Sequence, residues 1–304
     1  MSKFFVFSGQ GAQTVGMGKD LVEKSSAAAK IFAEADEVLG WSLSELCFEG
    51  PAEKLQESKY CQPAIYTMSC ACLAAFNELY SEIKPSAVAG LSLGEYAALH
   101  AAGVFSFADG LKLVAKRGEL MDKACKETNG GMASVLGGDL GKIEEICAEI
   151  GIDVANYNCP GQTVISGDKN LVKEAIKTLK ENGFRRVIPL KVAGAYHSKL
   201  MATAGVELAK VLANSPLADP KVKVTQNVTG TFTEKTEDIA PNLVAQVAGS
   251  VRWEECVRAI ITDGGTEMIE FGPGTVLTGL LARTDKEVIA KNINSAESLE
   301  EYGK

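Results

Sequence analysis

The stretch Gly90-Leu-Ser92-Leu-Gly94 joins a short apolar run, Ala87–Leu91, to a helical pattern over Leu93–Ala102. A serine flanked by glycines at such a strand-to-helix turn is typical of a nucleophile elbow. Its sharp bend exposes the hydroxyl and leaves room only for small neighbours. The helix behind the turn points free N–H groups and its positive dipole end at the serine. The pattern predicts Ser92 as a nucleophile, with an ordinary turn and a capping serine as the alternative.

Strands and helices alternate on both sides of this turn. Lys3–Phe7 predicts a buried first strand, and Met268–Phe271 and Val288–Ala290 predict the last two strands. Such alternation indicates an α/β protein, here an α/β-hydrolase-like core with a mostly parallel sheet covered by helices on both faces.

A different pattern occupies the middle of the chain. After a break at Gly130-Gly131, the segment 130–191 has the order β-α-β-β-α-β, which is typical of a ferredoxin-like α+β unit. We therefore expect a large domain over 1–129 and 192–304, with a small ferredoxin-like subdomain inserted at 130–191.

Composition excludes several classes of protein. The 304 residues are 46% hydrophobic and 23% charged, as in soluble globular proteins. No apolar run approaches the ~18 residues of a membrane span, and a net charge of −8 argues against a nucleic-acid surface. The eight cysteines form no C-x-x-C pair, and the start of the chain has no signal-peptide pattern. These features predict a cytoplasmic protein with neither a metal site nor a membrane or nucleic-acid partner.

A histidine is the expected general base for the serine, and the chain has two histidines, His100 and His197. His100 follows Ser92 by about two helical turns, or ~12 Å, and is predicted to be structural. His197, in Gly194-Ala-Tyr-His-Ser198, comes after the last strand of the inserted segment and is the predicted base by elimination. An acid or a backbone carbonyl could orient it. The long chain after His197 argues against a plain α/β-hydrolase, whose histidine lies near the C-terminus.

A second oxyanion donor is expected from the loop after a neighbouring strand. Gly9-Gln-Gly-Ala-Gln13 follows the first predicted strand, and its glycines let the backbone approach a substrate closely. The loop is not a dinucleotide fingerprint, because Thr14 stands where a third glycine would be needed.

From about Lys3 to Lys291, the chain resembles the bacterial malonyl-CoA:acyl-carrier-protein transacylase family. In chain order, the matching motifs are Gly9-Gln-Gly-Ala-Gln13, Gly90-Leu-Ser-Leu-Gly-Glu-Tyr96, Lys116-Arg-Gly-Glu-Leu-Met121, Asn156-Tyr-Asn-Cys-Pro-Gly-Gln162, Ile165-Ser-Gly167, Gly194-Ala-Tyr-His-Ser198, Gln246 with Val251-Arg-Trp253, and Gly272-Pro-Gly-Thr-Val-Leu-Thr-Gly279.

This resemblance implies an acyltransferase of fatty-acid synthesis. The malonyl group would pass from malonyl-CoA to the phosphopantetheine thiol of acyl carrier protein through a malonyl-serine, with no cofactor. Ser92 would be the nucleophile and His197 its base. The main-chain carbonyl of Gln246 would orient His197, and the amides of Gln10 and Leu93 would form the oxyanion hole.

The resemblance also implies substrate contacts. Arg117 would bind the malonyl carboxylate, which a guanidinium can grip with two parallel hydrogen bonds. Asn156 and Gln162 would be further substrate-binding residues. Without the family, Arg117 also fits a solvated helix residue.

A few positions depart from the family pattern. Ser8 and Lys199 stand where proline is usual, Tyr196 stands where phenylalanine is usual, and Gly249-Ser250 occupies a place that often ends in proline. The extra hydroxyl of Tyr196 bears on the selectivity among acyl groups. None of the departures touches the residues assigned to catalysis.

Three other functions share these residues. They are a serine esterase or thioesterase, a binding module that has lost catalysis, and an acyltransferase serving a polyketide synthase. A carrier protein with an acidic surface would need a local basic patch on this acidic chain. The candidates, which could equally be scattered solubilising charges, are Arg185, Arg186, Lys191, Lys199, Arg283 and Lys286. The oligomeric state stays open, with a monomer allowed.

Overall fold

Two separate sheets organise the part of the chain that the structure, a computed structural model, describes (residues 2–304). The strands are β1 (Ser2–Phe7), β2 (Ala87–Gly90), β3 (Gly130–Leu136), β4 (Asp153–Cys159), β5 (Gln162–Asp168), β6 (Arg186–Pro189), β7 (Lys223–Gln226), β8 (Thr231–Thr233), β9 (Gly265–Phe271) and β10 (Ile289–Ile293).

The larger sheet has six strands in the order β10-β9-β1-β2-β7-β8. The β1 strand is central, with Phe4 paired to Ala87 on one side and to Met268 on the other, both in parallel. Only the short edge strand β8 is antiparallel. The carboxyl ends of β1, β2, β7 and β9 therefore meet at one edge, where α/β sheets bind their ligands.

Helices cover this sheet on both faces, as predicted. The helices are α1 (Lys19–Lys24), α2 (Ser26–Leu39), α3 (Leu43–Glu49), α4 (Ala52–Gln56), α5 (Ser58–Leu79), α6 (Gly94–Ala101), α7 (Phe107–Glu127), α8 (Leu140–Ile150), α9 (Lys169–Glu181), α10 (Ala202–Leu212), α11 (Thr236–Ala248), α12 (Trp253–Thr262), α13 (Val276–Thr284) and α14 (Ala296–Tyr302).

Side chains of β1 alternate between two cores. Phe5 and Phe7 belong to the larger core, which includes much of α5 and α7. Phe4 and Val6 pack on the other face in a core built largely from α12 and α13. Burial on both faces explains why this strand is a continuous apolar run rather than an alternating one.

The smaller sheet is antiparallel, with strand order β4-β5-β3-β6. It has its own core with α8 and α9, including Ile143, Ile146 and Leu179. Together with the larger sheet, this confirms the predicted fold class of a mostly parallel α/β core plus a ferredoxin-like unit. The proposed domain boundaries at 130 and 191 stay a prediction.

The Gly130-Gly131 pair is not a break between elements, contrary to expectation. Both glycines lie inside β3, where Gly130 pairs with Asp168 and Gly131 with Gly167. A Cβ on Gly130 would lie 2.3 Å from the Ala195 backbone nitrogen, so a close backbone approach requires this glycine. Within residues 2–304, no helix is long and apolar enough to cross a membrane.

Candidate active site

Ser92 lies at the sharp turn between β2 and α6, with a φ of 52°. The flanking glycines are required by contact distances. A Cβ on Gly90 would lie 2.0 Å from the Gly94 carbonyl, and a Cβ on Gly94 would lie 2.1 Å from the Phe7 carbonyl oxygen. The turn therefore packs α6 directly against β1 and β2 and presents the serine at the carboxyl edge of the sheet.

His197 is placed against the serine by the loop before α10. Its Nε2 lies 2.7 Å from Ser92 Oγ, and its Nδ1 lies 2.8 Å from the main-chain oxygen of Gln246. Because a carbonyl oxygen only accepts, Nδ1 carries the proton and Nε2 is free to accept the serine proton. Of the two kinds of orienting group considered, the structure thus brings a backbone carbonyl on α11 to His197, and within residues 2–304 no acid hydrogen-bonds to its ring.

Burial keeps this imidazole neutral. Desolvation and the nearby positive charge of Arg117 lower the pKa of His197 to about 4, against the opposing effect of the Gln246 carbonyl. A neutral histidine at physiological pH is the form that acts as a general base.

Two backbone amides beside the serine are free to bind an oxyanion. The N–H groups of Gln10 and Leu93 donate no hydrogen bond to the protein within residues 2–304. The N–H of Ser92 is occupied, since it donates to Asn227 Oδ1 at 2.6 Å. Gln10 follows β1 and Leu93 follows Ser92, so the two amides come from neighbouring parallel strand ends.

Arg117 reaches the same place from α7 and is 1% exposed. Its Nη1 donates to Gln62 Oε1 at 2.7 Å. Its Nη2 donates to Gln246 Oε1 at 2.9 Å and to Ser92 Oγ at 3.0 Å. Its Nε is buried and has no hydrogen-bond partner within residues 2–304. The alternative of a solvated helix residue is therefore wrong, because the side chain points into the protein.

Every hydrogen-bond partner of this guanidinium is neutral. Within residues 2–304, no carboxylate lies within ion-pair distance of Arg117. Burial lowers the pKa of Arg117, with the nearby Tyr96 and Glu95 opposing that shift. A buried, always-charged group without a direct counter-ion is costly, so the site is suited to an anion.

These groups line a cavity of about 980 Å³. Gln10, Ser92, Arg117 and His197 all face it, and so does Asn156 from the small sheet. The cavity thus lies between the two sheets, at the carboxyl edge of the larger one.

Gln162 is the predicted site residue that the structure does not bring here. Its side-chain oxygen accepts from Arg283 Nη1 at 2.6 Å, and Gln162 does not line the cavity. It lies at the start of β5 and bonds to Arg283 outside the cavity lining, so a substrate contact by Gln162 stays a prediction. His100 is structural as predicted, since its Nδ1 lies 3.2 Å from the Phe105 carbonyl and it does not line the cavity.

Sequence reasoning missed several residues that hold the site together. They are Gln62, Glu95 and Asn227. A signal existed for one of them: Asn227 follows a strand that ends at the ligand-binding edge. Among residues 2–304, no group of three or more His, Cys, Asp or Glu side chains could hold a metal ion.

Comparison with known proteins agrees with this geometry. The model of the acyl transferase domain family matches residues 4–304. The malonyl CoA-acyl carrier protein transacylase of Bacillus subtilis (strain 168) is 42% identical over 306 residues, covering 99% of this chain and 96% of the relative.

Several solved structures are also similar to this chain, in both fold and sequence. The acyl-carrier-protein S-malonyltransferase of Bartonella henselae superposes with a TM-score of 0.95 at 38% identity, over 99% of this chain and 98% of that one. A malonyl-transacylase in complex with a type II PKS acyl-carrier protein has a TM-score of 0.94 at 37% identity, over 99% and 98% of the two chains. The chain belongs to the acyl transferase domain family and, within it, to the malonyl-CoA:acyl-carrier-protein transacylases.

Proposed function

We propose that this protein transfers the malonyl group from malonyl-CoA to the phosphopantetheine thiol of acyl carrier protein, by way of a malonyl ester of Ser92. One observation carries the proposal: Arg117 is buried beside the nucleophile, 3.0 Å from Ser92 Oγ, and has only neutral partners. A guanidinium in that position fits an acyl group with a second, negatively charged end. The similar proteins are named for this activity.

In the first half-reaction, His197 Nε2 takes the proton from Ser92 Oγ as the oxygen attacks the thioester carbonyl. The resulting oxyanion accepts hydrogen bonds from the Gln10 and Leu93 amides, each worth about 3 kcal/mol in such sites. The tetrahedral intermediate collapses, the C–S bond breaks, and the CoA thiolate leaves with the proton that His197 holds.

In the second half-reaction, the carrier thiol is the nucleophile. His197 Nε2 takes its proton, the sulfur attacks the ester carbonyl, and Ser92 Oγ leaves and recovers the proton. The charge of Arg117 persists through both steps, so the malonyl carboxylate stays bound while the thiols exchange. The proposed reaction needs no cofactor, since the protein supplies nucleophile, base and anion site.

The length of a malonyl group suits the distances. In a malonyl-serine, one methylene separates the ester carbonyl from the free carboxylate, so both ends must be satisfied within a few ångströms of Oγ. Arg117 Nη2 lies at 3.0 Å from that oxygen, and its unpaired Nε is a spare donor. An acetyl group would leave these donors without an anion.

We further propose that the carrier protein docks at the mouth of the cavity, along the edge strand β6 and the chain after it. Leu190, Lys191 and Val192 line the cavity. Ile188, Leu190 and Val192 are large apolar side chains exposed to solvent. Arg185, Arg186 and Lys191 lie beside them and have no ion-pair partner within residues 2–304. Mixed apolar and basic character fits an acidic carrier.

Two of the other basic candidates are less available for contact with a carrier protein, because their side chains already have partners. Lys199 pairs with Asp153 at 3.6 Å. Arg283 donates to the carbonyl oxygens of Pro160 and Gly161, away from the cavity.

The docking proposal is tested with the double variant Arg186→Glu/Lys191→Glu. We expect a rise in KM for the carrier protein and a weaker salt dependence, with a smaller rise in KM for malonyl-CoA, because Lys191 lines the cavity that both substrates enter. Lys84→Glu is the control, because Lys84 is exposed just before β2, at the amino ends of the strands and opposite the cavity. Unchanged carrier kinetics in the double variant would contradict this location.

The central experiment is intact-protein mass spectrometry after mixing with malonyl-CoA. We expect a malonyl adduct on the wild type that carrier protein discharges, and no adduct on Ser92→Ala. Rapid release of free malonate, regardless of carrier, would instead indicate a thioesterase. Because one similar structure contains a polyketide carrier, discharge should be compared between fatty-acid and polyketide carrier proteins.

A further inference from the structure

Glu95 is a buried carboxylate that the proposed reaction does not use. It lies in the first turn of α6, three residues after the nucleophile, and is 0% exposed. A charged side chain in such a place is costly unless its hydrogen bonds are complete.

Three donors surround this carboxylate. The backbone N–H of Asn227 donates to Oε2 at 2.7 Å, and Gln246 Nε2 donates to the same oxygen at 3.1 Å. Gln226 Nε2 donates to Oε1 at 3.0 Å. Since all three partners are N–H donors, the site is built for an ionised, acceptor-only group.

One of these contacts leads to the anion site. Gln246 uses both ends of its side-chain amide: Nε2 donates to Glu95 and to the Ser92 carbonyl, and Oε1 accepts from Arg117 Nη2 at 2.9 Å. A glutamine amide can flip, and the flipped form would turn its NH₂ toward the guanidinium. The carboxylate of Glu95 stabilises only the form in which the oxygen faces Arg117.

A second contact leads to the nucleophile. The Asn227 backbone is held by Glu95, and its side chain accepts from the Ser92 N–H at 2.6 Å while donating to the Gly90 carbonyl at 2.8 Å. Gln226 is itself fixed, because its Oε1 accepts from Asn242 Nδ2 at 2.8 Å. Glu95 therefore joins the end of β7 to α11 directly beneath the serine.

We propose that Glu95 is a positioning residue for the recognition of the malonyl carboxylate: its ionised carboxylate fixes the Gln246 amide, which in turn holds Arg117 in the orientation that binds the substrate anion. The negative charge of Glu95 also balances the charge of Arg117 through this amide while the cavity contains no substrate. Glu95 itself touches neither substrate nor the reacting atoms.

The environment of Glu95 sets the assay conditions. Burial raises the pKa of Glu95 to about 7, while the Asn227 amide, the two glutamines and Arg117 oppose that rise. Kinetics are therefore measured at about pH 8, where the carboxylate is ionised.

The test is Glu95→Gln, which keeps the shape but places an NH₂ against one of three donors. We expect kcat/KM for malonyl transfer to fall about 10- to 100-fold, the range for losing a hydrogen bond to a charged group. Acetyl transfer should fall less, so the malonyl-to-acetyl ratio drops. In an Arg117→Ala background, Glu95→Gln should leave that ratio unchanged, because the group that Glu95 orients is gone.

A matched control is Thr225→Val. Thr225 is buried in β7 beside Gln226, and its hydroxyl has no hydrogen-bond partner within the described residues, so this change alters the core without removing a bond of the network. It should keep the malonyl-to-acetyl ratio of the wild type. If Glu95→Gln does not fold, Gln226→Leu removes one of the three donors and should lower the same ratio in smaller measure.

An equal loss on both acyl groups, or an unchanged ratio, would overturn the role assigned to Glu95. The inference rests on the proposed malonyl transfer, but the two fail in different ways. If the wild type forms no malonyl adduct, the function is wrong. If the wild type transfers malonyl with an Arg117-dependent ratio that Glu95→Gln does not change, only the positioning role is wrong.

Discussion

Ser92 and His197 are the two non-glycine residues with positive φ within residues 2–304, at 52° and 56°, and they hydrogen-bond to each other at 2.7 Å. A left-handed backbone costs an L-residue about 1–2 kcal/mol. Such strain persists where the surroundings enforce it, and it concentrates at functional sites. The strained turns at Ser92 and His197 direct the two side chains toward each other. The strain therefore accompanies the contact between nucleophile and base, which are far apart in the sequence.

This strain predicts an order of stability among variants at the nucleophile. Ser92→Ala and Ser92→Gly both remove the hydroxyl, but only glycine adopts the left-handed backbone without penalty. We expect Ser92→Gly to be more stable than Ser92→Ala by about 1 kcal/mol in denaturant unfolding, after allowance for the freer unfolded chain of glycine. The reverse order would show that the turn is not strained in solution.

The lowered pKa of His197 predicts an unusual titration. Its ring should titrate near 4 in NMR spectra rather than near the ordinary 6.5. The chain has one other histidine, so His100→Gln assigns the signals. A midpoint near 6.5 would mean that the ring is more hydrated than its burial indicates.

The same shift has a consequence for stability. Above pH 6.5, His197 is neutral in both the folded and the unfolded chain and contributes no pH dependence. As the pH falls from 6.5 to about 4, the unfolded chain binds the proton and the folded one does not, so stability is lost. The free energy of unfolding should therefore fall by about 3 kcal/mol more in the wild type than in His197→Gln over this interval. Equal losses would contradict the shift.

Ser92 could be predicted from the local G-x-S-x-G pattern, and His197 could be predicted because histidines are scarce in this chain. The elbow has a fixed spacing, and the chain has two histidines to choose between. The mostly parallel sheet also follows from alternating strands and helices, whereas the order of its strands does not. The other residues of the site are brought together by tertiary packing, which the spacing of residues along the sequence does not reveal.

Gln246 and Glu95 illustrate that limit. Both are polar residues on helices whose other positions look ordinary, and only the folded chain brings them within 3.1 Å of each other across 151 positions. Gln162 shows a second limit, because the structure pairs its side chain with Arg283 and not with the cavity. It belongs to a motif that the family shares, yet a motif does not say which of its side chains faces the cavity.

The glycines of the elbow should tolerate no side chain. In Gly94→Ala, the new methyl would lie 2.1 Å from the Phe7 carbonyl oxygen, a backbone atom that cannot move aside. We expect a loss of about 3 kcal/mol in the free energy of unfolding. The control is Gly279→Ala in the interior of α13, where an added Cβ would meet nothing within 4 Å beyond its chain neighbours and its own helix backbone, and which should gain about 0.5–1 kcal/mol. A neutral Gly94→Ala would mean that α6 can move away from β1.

The hydroxyl of Tyr196 should matter for stability more than for chemistry. It forms a buried hydrogen bond with Ser58 Oγ at 2.7 Å, and Ser58 Oγ also accepts from Gln10 Nε2 at 3.3 Å. Tyr196→Phe should cost about 1 kcal/mol of unfolding free energy. Because Ser58 holds the Gln10 side chain and the Gln10 backbone N–H is the proposed oxyanion donor, kcat should fall a few-fold, equally for malonyl and acetyl groups. A selective loss of malonyl transfer would instead place Tyr196 in contact with the carboxylate.

Arg117 should decide which acyl group is transferred. Arg117→Ala removes a guanidinium that would make two charged hydrogen bonds to the malonyl carboxylate, each worth about 1.5–3 kcal/mol. The ratio of kcat/KM for malonyl over acetyl transfer should therefore fall about 10²- to 10⁴-fold. Arg117→Lys should recover part of the ratio, because an ammonium keeps the charge but not the planar fork.

The neighbouring residue provides the control for that experiment. Lys116 lies on the same helix and pairs with Glu119 at 2.9 Å on the outer face, so Lys116→Ala should leave the malonyl-to-acetyl ratio unchanged. Arg117 also contacts Ser92 Oγ, and the loss of that contact should slow both acyl groups alike. The ratio separates the two effects. A uniform loss would mean that Arg117 acts on the nucleophile alone, and the malonyl carboxylate would then have to bind elsewhere in the cavity.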